Sequence, residues 1–487
     1  MTATHSADSG QRLNQAALAA MRNTGVHSSA AQSASIQLPN YPRTGLVPSV
    51  VHLGLGAFHR AHQALVFDSL LAAGDMRWGL CSVGMRSAQL ADDLTAQDGL
   101  YAVQIASRAG SAWRVGGAIV QTSVAARERG AVVQAIARPQ TRWLTLTVTE
   151  KAYDAALAAL IVDGLALRHA QGLQGITVAS CDNLQNNGRT LQALCVAQAK
   201  VHSAALADWV VQQCAFPNSM VDRIVPAATP ERLQSAKEAL GLEDRCALGT
   251  EGFWEWVIER KFVDASDEAA LVSQGVLVVD DVLPFEEAKL RMLNASHTAM
   301  ACIGAVAGLQ VIEQCINQPA VLRYVTGLNR LEVSPHVRRP QWQAYLDALI
   351  ARWQNPALLH SVHQIATDSS IKISQRFPPC ILGQLAAGQS IEHLAFAAAA
   401  WMRYARGVDE AGASYAVNDP LAQRVQALAR EHAGDAVATA QVLGGMSEIW
   451  GDSLVSHALW LSRVSHWLQA IQSHGILAAT AMCADGV

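Results

Sequence analysis

The chain has 487 residues, 51% of them hydrophobic, with 36 Lys and Arg against 40 Asp and Glu and a formal charge of −4. That length has room for two or three domains and a sizeable core, and the dispersed basic residues offer no concentrated positive footprint, which argues against nucleic acid as the main partner. Nine cysteines without a C-x-x-C read as reduced thiols in a cytoplasmic protein, and the most membrane-like stretch, AMACIGAVAGLQVI at 299–312, is too short to span a bilayer and reads as a buried helix.

Residues 1–44 are rich in Ala, Ser and Gln, lack the apolar segment of a signal peptide, and are expected to form a loosely structured extension. SVVHLGLG (49–56) predicts a strand, 59–73 a helix, and WGLCSVG (78–84) a second strand. TRWLTLTVTE (141–150) and GITVASCDN (175–183) are two more β-branched runs, each leading into polar residues. Alternating strands and helices predict an α/β fold, a Rossmann-like dinucleotide-binding domain over 45–286. Ligands of such sheets bind at the carboxyl ends of the strands, so Glu150-Lys151 and Asp182-Asn183 stand where a site would be lined. From about 287 helical runs dominate, at 341–353, 381–406, 418–431 and 453–474, and predict an all-α C-terminal domain over 287–487. A cleft between two domains is the expected ligand site.

The strand at 49–56 opens into Gly54-Leu55-Gly56, and Ala57, Phe58, His59, Arg60, Ala61 and His62 follow. Strand, Gly-x-Gly and helix is what a pyrophosphate requires: a tight turn, close backbone approach, and free N–H groups at a helix start. The third glycine of that pattern falls at position 59, where histidine stands. Spacing alone is equally consistent with an ordinary strand–helix corner. His59 and His62 lie three apart, but no third ligand of suitable type is near them, and no metal site is expected. The second strand ends in Gly84-Met85-Arg86-Ser87, with no carboxylate for a ribose before Asp92. Arg86 is placed to meet a 2′-phosphate, so NAD and NADP both stay open here.

KLRMLNASH (289–297) is the most informative short segment. On an α-helix at about 100° per residue, Lys289, His297 and Asn294 fall near 0°, 80° and 140°, on one face. A half-buried lysine has its pKa lowered from about 10.4 toward neutrality, as proton transfer to a carbonyl oxygen requires. The structural alternative is a lysine that reaches to solvent and an asparagine that caps a turn. SCDNLQNNG (180–188) holds Asp182, Asn183, Asn186 and Asn187, and FPNSMVDRIVP (216–226) holds Asp222-Arg223; a polar turn and a local ion pair are their plain readings.

With TVTEKAY and HQIATDSSIKISQR, these segments occur in one order between about 48 and 376 and resemble the polyol-specific long-chain dehydrogenases, the group of mannitol 2-dehydrogenase and fructuronate reductase. The resemblance implies that Gly54, Gly56, Phe58, His59, Arg60 and Arg86 serve the cofactor, with His59 replacing the third glycine. It implies Lys289 as general acid/base and Asn183 and Asn294 as hydrogen-bond donors to the reacting oxygen, without metal. His297 and Asp222 would orient hydroxyls, Lys372 would hold the sugar chain, and Glu286 would relay protons. Gln364 stands where mannitol-type members carry arginine, and the surrounding spelling is nearer to fructuronate reductase. Lys372 and Arg376, four apart, are then candidates for a carboxylate, although Ser369 and Ser374 replace an expected Gly and Pro.

The expected activity is therefore NAD-dependent interconversion of a 2-keto sugar acid and its alcohol, D-fructuronate and D-mannonate, with NADP as the alternative cofactor. A neutral polyol/ketose pair such as mannitol and fructose is the nearest rival. A non-catalytic dinucleotide-binding regulator has no need of the Lys289, Asn183 and Asn294 set, and a zinc alcohol dehydrogenase would need clustered cysteines. A large helical domain able to cap a cleft by itself suggests a monomer.

Overall fold

Five short, β-branched runs pair side by side in one parallel sheet, because helices cover both faces and leave no polar side to face water. A computed structural model describes residues 11–24, 35–107, 110–358 and 360–486. In spatial order the strands are Ile119–Val124, Gly79–Gly84, Pro48–Leu53, Trp143–Leu146 and Thr177–Ser180. Counted along the chain this order is 3-2-1-4-5, the doubly wound arrangement of a Rossmann-type domain, and its direction of winding reverses between Pro48–Leu53 and Trp143–Leu146. Leu53 lies beside Val83 on one flank and Leu146 on the other, and Leu146 lies beside Ser180, so four strand ends stand level. Val51, Leu53, Val83 and Leu144 pack on one face with Val132, Ile136, Ile161 and Leu165; Val50, Leu80 and Trp143 pack on the other with Phe67, Trp78 and Trp256.

The chain divides into two compact units between Val282 and Leu283. Within the first, three expectations change. The strands at 141–150 and 175–183 are shorter than expected, because their polar ends turn away into loops. The helix expected at 59–73 is two helices, Ala57–Ala61 and Gln63–Ala72. The break is at His62, with φ −123° and ψ −95°, whose ring nitrogen lies 2.9 Å from the Glu255 carbonyl. The extension is not loosely structured where it is described. Gln15–Thr24 is helical, and Leu13, Ala17 and Leu18 are buried with Leu100, Trp113 and Leu240. Ile36–Gln37 pairs in parallel with Gly110–Gly116. Residues 1–10 and 25–34 of that extension lie outside the described residues. Two further small sheets, which no alternation of strand and helix signals, are built on the hairpin Tyr101–Ser107/Gly110–Gly116 and on Glu255–Glu259.

The second unit is helical. Ala295–Val306 is buried along its whole length, as the Ala/Gly-rich composition of 299–312 implied, and it packs against Glu392–Tyr404. The run expected at 381–406 is split into Pro378–Ala386 and Glu392–Tyr404, and Gly388 between them takes φ +66°. The buried Glu332 carboxylate accepts the His393 and Leu394 N–H groups (both 2.8 Å) at the start of the second of these. Leu283–Ala288 runs directly into a π-helical segment, Lys289–Asn294, and then into Ala295–Val306. A second π segment spans Leu328–Val333. All nine cysteines are unpaired and buried. Among the described residues no helix is long and apolar enough to cross a membrane.

Candidate active site

The glycine turn sits where the sheet reverses its winding, the place where such sheets bind ligands. Gly54 N and Leu55 N both donate to the Val83 carbonyl (2.9 and 3.0 Å), and Gly54 takes φ +107°. A Cβ there would come within 2.2 Å of the Thr147 carbonyl oxygen, so the turn accepts only glycine. A Cβ on Gly56 would meet nothing nearer than the Gly54 carbonyl oxygen at 3.8 Å. That open face is the fit a pyrophosphate needs, and the turn suits a dinucleotide.

The residues after the turn need correction as cofactor contacts. His59 is fully buried, stacked on His52 at 3.4 Å between centroids and 9° between planes, with Nε2 3.0 Å from Ser82 Oγ. Its ring fills the helix–strand contact that a third glycine would have closed and has no exposed surface. Burial lowers the pKa of His59 well below its usual value and holds that of His52 down to about 3, so both rings are neutral. The Arg60 guanidinium is likewise turned inward, donating to the Cys246 carbonyl and lying over the Tyr101 ring. Phe58 is half-buried and stacks on His62. Arg86 is exposed directly beyond the strand Gly79–Gly84, while Asp92, the first carboxylate after it, pairs with Arg127 at 3.0 Å.

The polar ends of the next strands brace one another. Asp182 is buried and accepts Val148 N (3.1 Å), Thr149 N (2.8 Å) and the Tyr153 hydroxyl (3.0 Å). Burial is the main reason its pKa is raised. This clamp holds Thr149 at φ +73° and ψ 155°, a conformation that side chains other than glycine's rarely adopt. Asn187 donates to the carbonyls of Asp182 (3.0 Å) and Ser219 (2.8 Å) and accepts Ser219 N (3.0 Å). Asn183 between these braces is exposed, and Asp222 ends the strand Ser219–Asp222 buried. Arg223 donates to the carbonyls of Ala61 and Glu251, which fastens that strand to the helix after the glycine turn.

In the second unit the π segment changes the angles expected of an α-helix. Ala295 N bonds to the Leu290 carbonyl, five residues back. Lys289 and Asn294 are half-buried at its two ends, with Met292 and Leu293 buried between them; Glu286 is half-buried one turn earlier. His297 is buried against Trp353 (5.6 Å) and His360 (5.3 Å), and its Nε2 has no hydrogen-bond partner among the described residues. Burial, then His360 beside it and the charges of Arg352, Arg376 and Lys372, drive its pKa well below the usual value and keep it neutral. Arg376 Nη1 donates to the Asn294 carbonyl (2.9 Å) and to Thr298 Oγ1 (2.6 Å), and its buried Nε has no hydrogen-bond partner among the described residues. Lys372 Nζ donates to the Ile365 carbonyl at 2.9 Å, and burial lowers its pKa. Gln364 is exposed on the short helix Val362–Ala366.

The departure at Ser369 has a physical reason: its hydroxyl accepts Trp401 Nε1 (2.9 Å) and bonds Asp419, which also takes Ser370 N (2.7 Å) at the start of the helix bearing Lys372 and Arg376. Thr298, Arg352, Trp353 and His360 escaped the sequence reading. They carry no motif: Thr298 reaches the Asn294 carbonyl from one turn along the same helix, and Trp353 and His360 meet His297 only in the folded chain.

The chain matches the mannitol dehydrogenase Rossmann domain over residues 48–269 and the mannitol dehydrogenase C-terminal domain over 281–472. It is 36% identical over 472 residues to D-mannonate oxidoreductase of Escherichia coli (strain K12), covering 90% of this chain and 96% of that protein. It is 33% identical over 487 residues to mannitol 2-dehydrogenase of Phaeosphaeria nodorum, covering 93% and 84%. Among solved structures it superimposes on D-sorbitol dehydrogenase in substrate-free form with a TM-score of 0.84 at 28% identity, over 91% of this chain and 97% of that one. The Pseudomonas fluorescens mannitol 2-dehydrogenase ternary complex with NAD and D-mannitol gives 0.77 at 29% identity, over 96% and 99%. Two domain matches in the expected order, with 36% identity to D-mannonate oxidoreductase over 90% of the chain, make this chain an oxidoreductase of the mannitol dehydrogenase family.

Proposed function

We propose that the enzyme interconverts D-fructuronate and D-mannonate with NAD as cofactor. The observation that carries the substrate is the cluster of cations around a neutral His297: Arg352, Lys372 and Arg376, with the buried Arg376 Nε unpartnered among the described residues. A carboxylate on the substrate chain wants such a fixed cation, and a neutral polyol does not. The likeness to D-mannonate oxidoreductase supports the same reading.

The open face at Gly56 and the turn at Gly54 would hold the cofactor, and Arg86 leaves room for a 2′-phosphate. When bound, the nicotinamide supplies the hydride that adds to the C2 ketone. Lys289 protonates the resulting alkoxide, and Asn183 and Asn294 donate hydrogen bonds to that oxygen as its charge develops. His297, neutral through burial, takes a substrate hydroxyl at Nε2, and Asp222 orients another. Arg376 and Lys372 hold the carboxylate, with Gln364 nearby in sequence. Glu286, three residues before Lys289, returns a proton to it. In the oxidising direction Lys289 takes the proton instead.

The test is NADH oxidation by the purified protein at neutral pH with fructuronate and fructose side by side. Preference for fructuronate supports the proposal; preference for fructose makes the protein a polyol dehydrogenase; silence with both calls for NADPH. Lys289→Ala should bind NADH as the native protein does and lose turnover, and turnover at the native rate would remove Lys289 from the chemistry.

A further inference from the structure

The helix that carries Lys289 and Asn294 is not an α-helix between them, and this has a consequence for the reaction proposed above, on which the following inference rests. On an α-helix the two residues would stand about 140° apart. The segment Lys289–Asn294 instead closes on a five-residue bond, Ala295 N to the Leu290 carbonyl. A wider turn holds more residues per revolution, so it narrows that angle and swings Asn294 toward the side of Lys289.

Such turns are rare, and three sets of contacts fasten this one. Arg291, within the turn, donates from Nη1 to the His336 carbonyl (2.5 Å) and pairs through Nη2 with Glu287 (3.1 Å). The buried Asn329, in the second π segment, donates to Ser296 Oγ at 2.8 Å. At the exit, the Asn294 carbonyl accepts both Arg376 Nη1 (2.9 Å) and Thr298 Oγ1 (3.0 Å), and those two groups bond each other at 2.6 Å. The last is the only one of the three that grips Asn294 itself.

We propose that the π turn is the device that brings Lys289 and Asn294 to one side of their helix, and that Arg376, through the Asn294 carbonyl, is the positioning residue that maintains it, with Thr298 as its accessory. Arg376 then has two roles: its Nη1 sets the geometry of the proton-transfer pair, and its positive charge serves the substrate.

The roles separate in Arg376→Met, which keeps the buried stem and removes the donors. In the full chain, amide hydrogen exchange over 289–295 should quicken while the rest of the second unit stays protected. Turnover should fall on the order of tenfold to a hundredfold, the cost of a small misplacement of a reacting group. The fall should be in kcat, for a neutral ketose as well as for the acid, with NADH affinity unchanged. Arg376→Lys, which can still donate to the carbonyl, should recover part of it. Thr298→Val should shift both readouts in the same direction by less, with Thr298→Ser native-like, and this pair decides the matter if Arg376→Met fails to fold. Native exchange over 289–295, or a rise confined to KM for the acid, would overturn the proposal. If the native enzyme reduces neither ketose, the proposed function fails, and the exchange measurement alone still decides the π turn.

Discussion

Alanine at Gly54 and alanine at Gly56 are the same chemical change two residues apart, and they should fail in opposite ways. At Gly54 the φ of +107° costs any other residue about 1–2 kcal/mol. The added Cβ would also sit 2.2 Å from the Thr147 carbonyl oxygen and 2.7 Å from its carbon. Those atoms are backbone, and Thr147 N is tied to the Leu53 carbonyl at 2.9 Å, so relief requires strand movement at about 1–3 kcal/mol more. A loss of about 2–5 kcal/mol lowers the melting temperature of the first unit by very roughly 5–15 °C. At Gly56 the backbone is ordinary, with φ −108° and ψ 179°, and the Cβ has clear space at 3.8 Å from its nearest neighbour. Stability should change by no more than about 0.5 kcal/mol. The same Cβ occupies the face left open for a pyrophosphate, so the Kd for NADH should rise by about tenfold, ~1.4 kcal/mol. Thermal melts and NADH fluorescence titrations of both variants read the two effects separately. A Gly56→Ala protein that binds NADH with native affinity would refute the assignment of the cofactor turn.

Acid should weaken the first unit in a defined window. His52 is held to a pKa of about 3 and His59 well below its usual value, whereas both titrate near 6.5 in an unfolded chain. The unfolded state therefore binds more protons below that pH, so stability falls as pH drops through 6.5, by about 1.4 kcal/mol per pH unit for each histidine. Melts between pH 7.5 and 5.5 should show this slope, and His59→Gln should roughly halve it; an unchanged slope in the variant would count against the buried, neutral pair. Leu18→Ala should destabilise the protein by about 2–5 kcal/mol, since Leu18 is buried against Leu13 and Trp113. A native melting temperature in that variant would mean that the helix Gln15–Thr24 is not docked.

The apolar runs at 49–56, 78–84, 141–150 and 175–183 marked four of the five strands of the parallel sheet, because a strand buried on both faces announces itself by composition; the edge strand Ile119–Val124 was not read from the sequence. Gly54 was legible for the same local reason: a turn that tight needs a residue without Cβ. The six ordered motifs singled out Lys289, Asn294 and His297 as candidates. What the chain could not announce was where side chains turn once helices pack. His59 and Arg60 read as cofactor contacts and face inward, because one stacks on His52 and the other reaches the Cys246 carbonyl, 186 residues away. The docking of Leu13 and Leu18 was hidden in an Ala- and Ser-rich stretch whose few apolar residues matter only once Trp113 and Leu240 are beside them. The π turn at Lys289–Asn294 is the clearest case. Its fastenings are distant in sequence: the His336 carbonyl accepts Arg291 from within the segment, Asn329 holds Ser296 just beyond it, and Arg376 holds the Asn294 carbonyl. Local sequence decides which backbone conformations are cheap, and only long-range hydrogen bonds decide which costly one is kept.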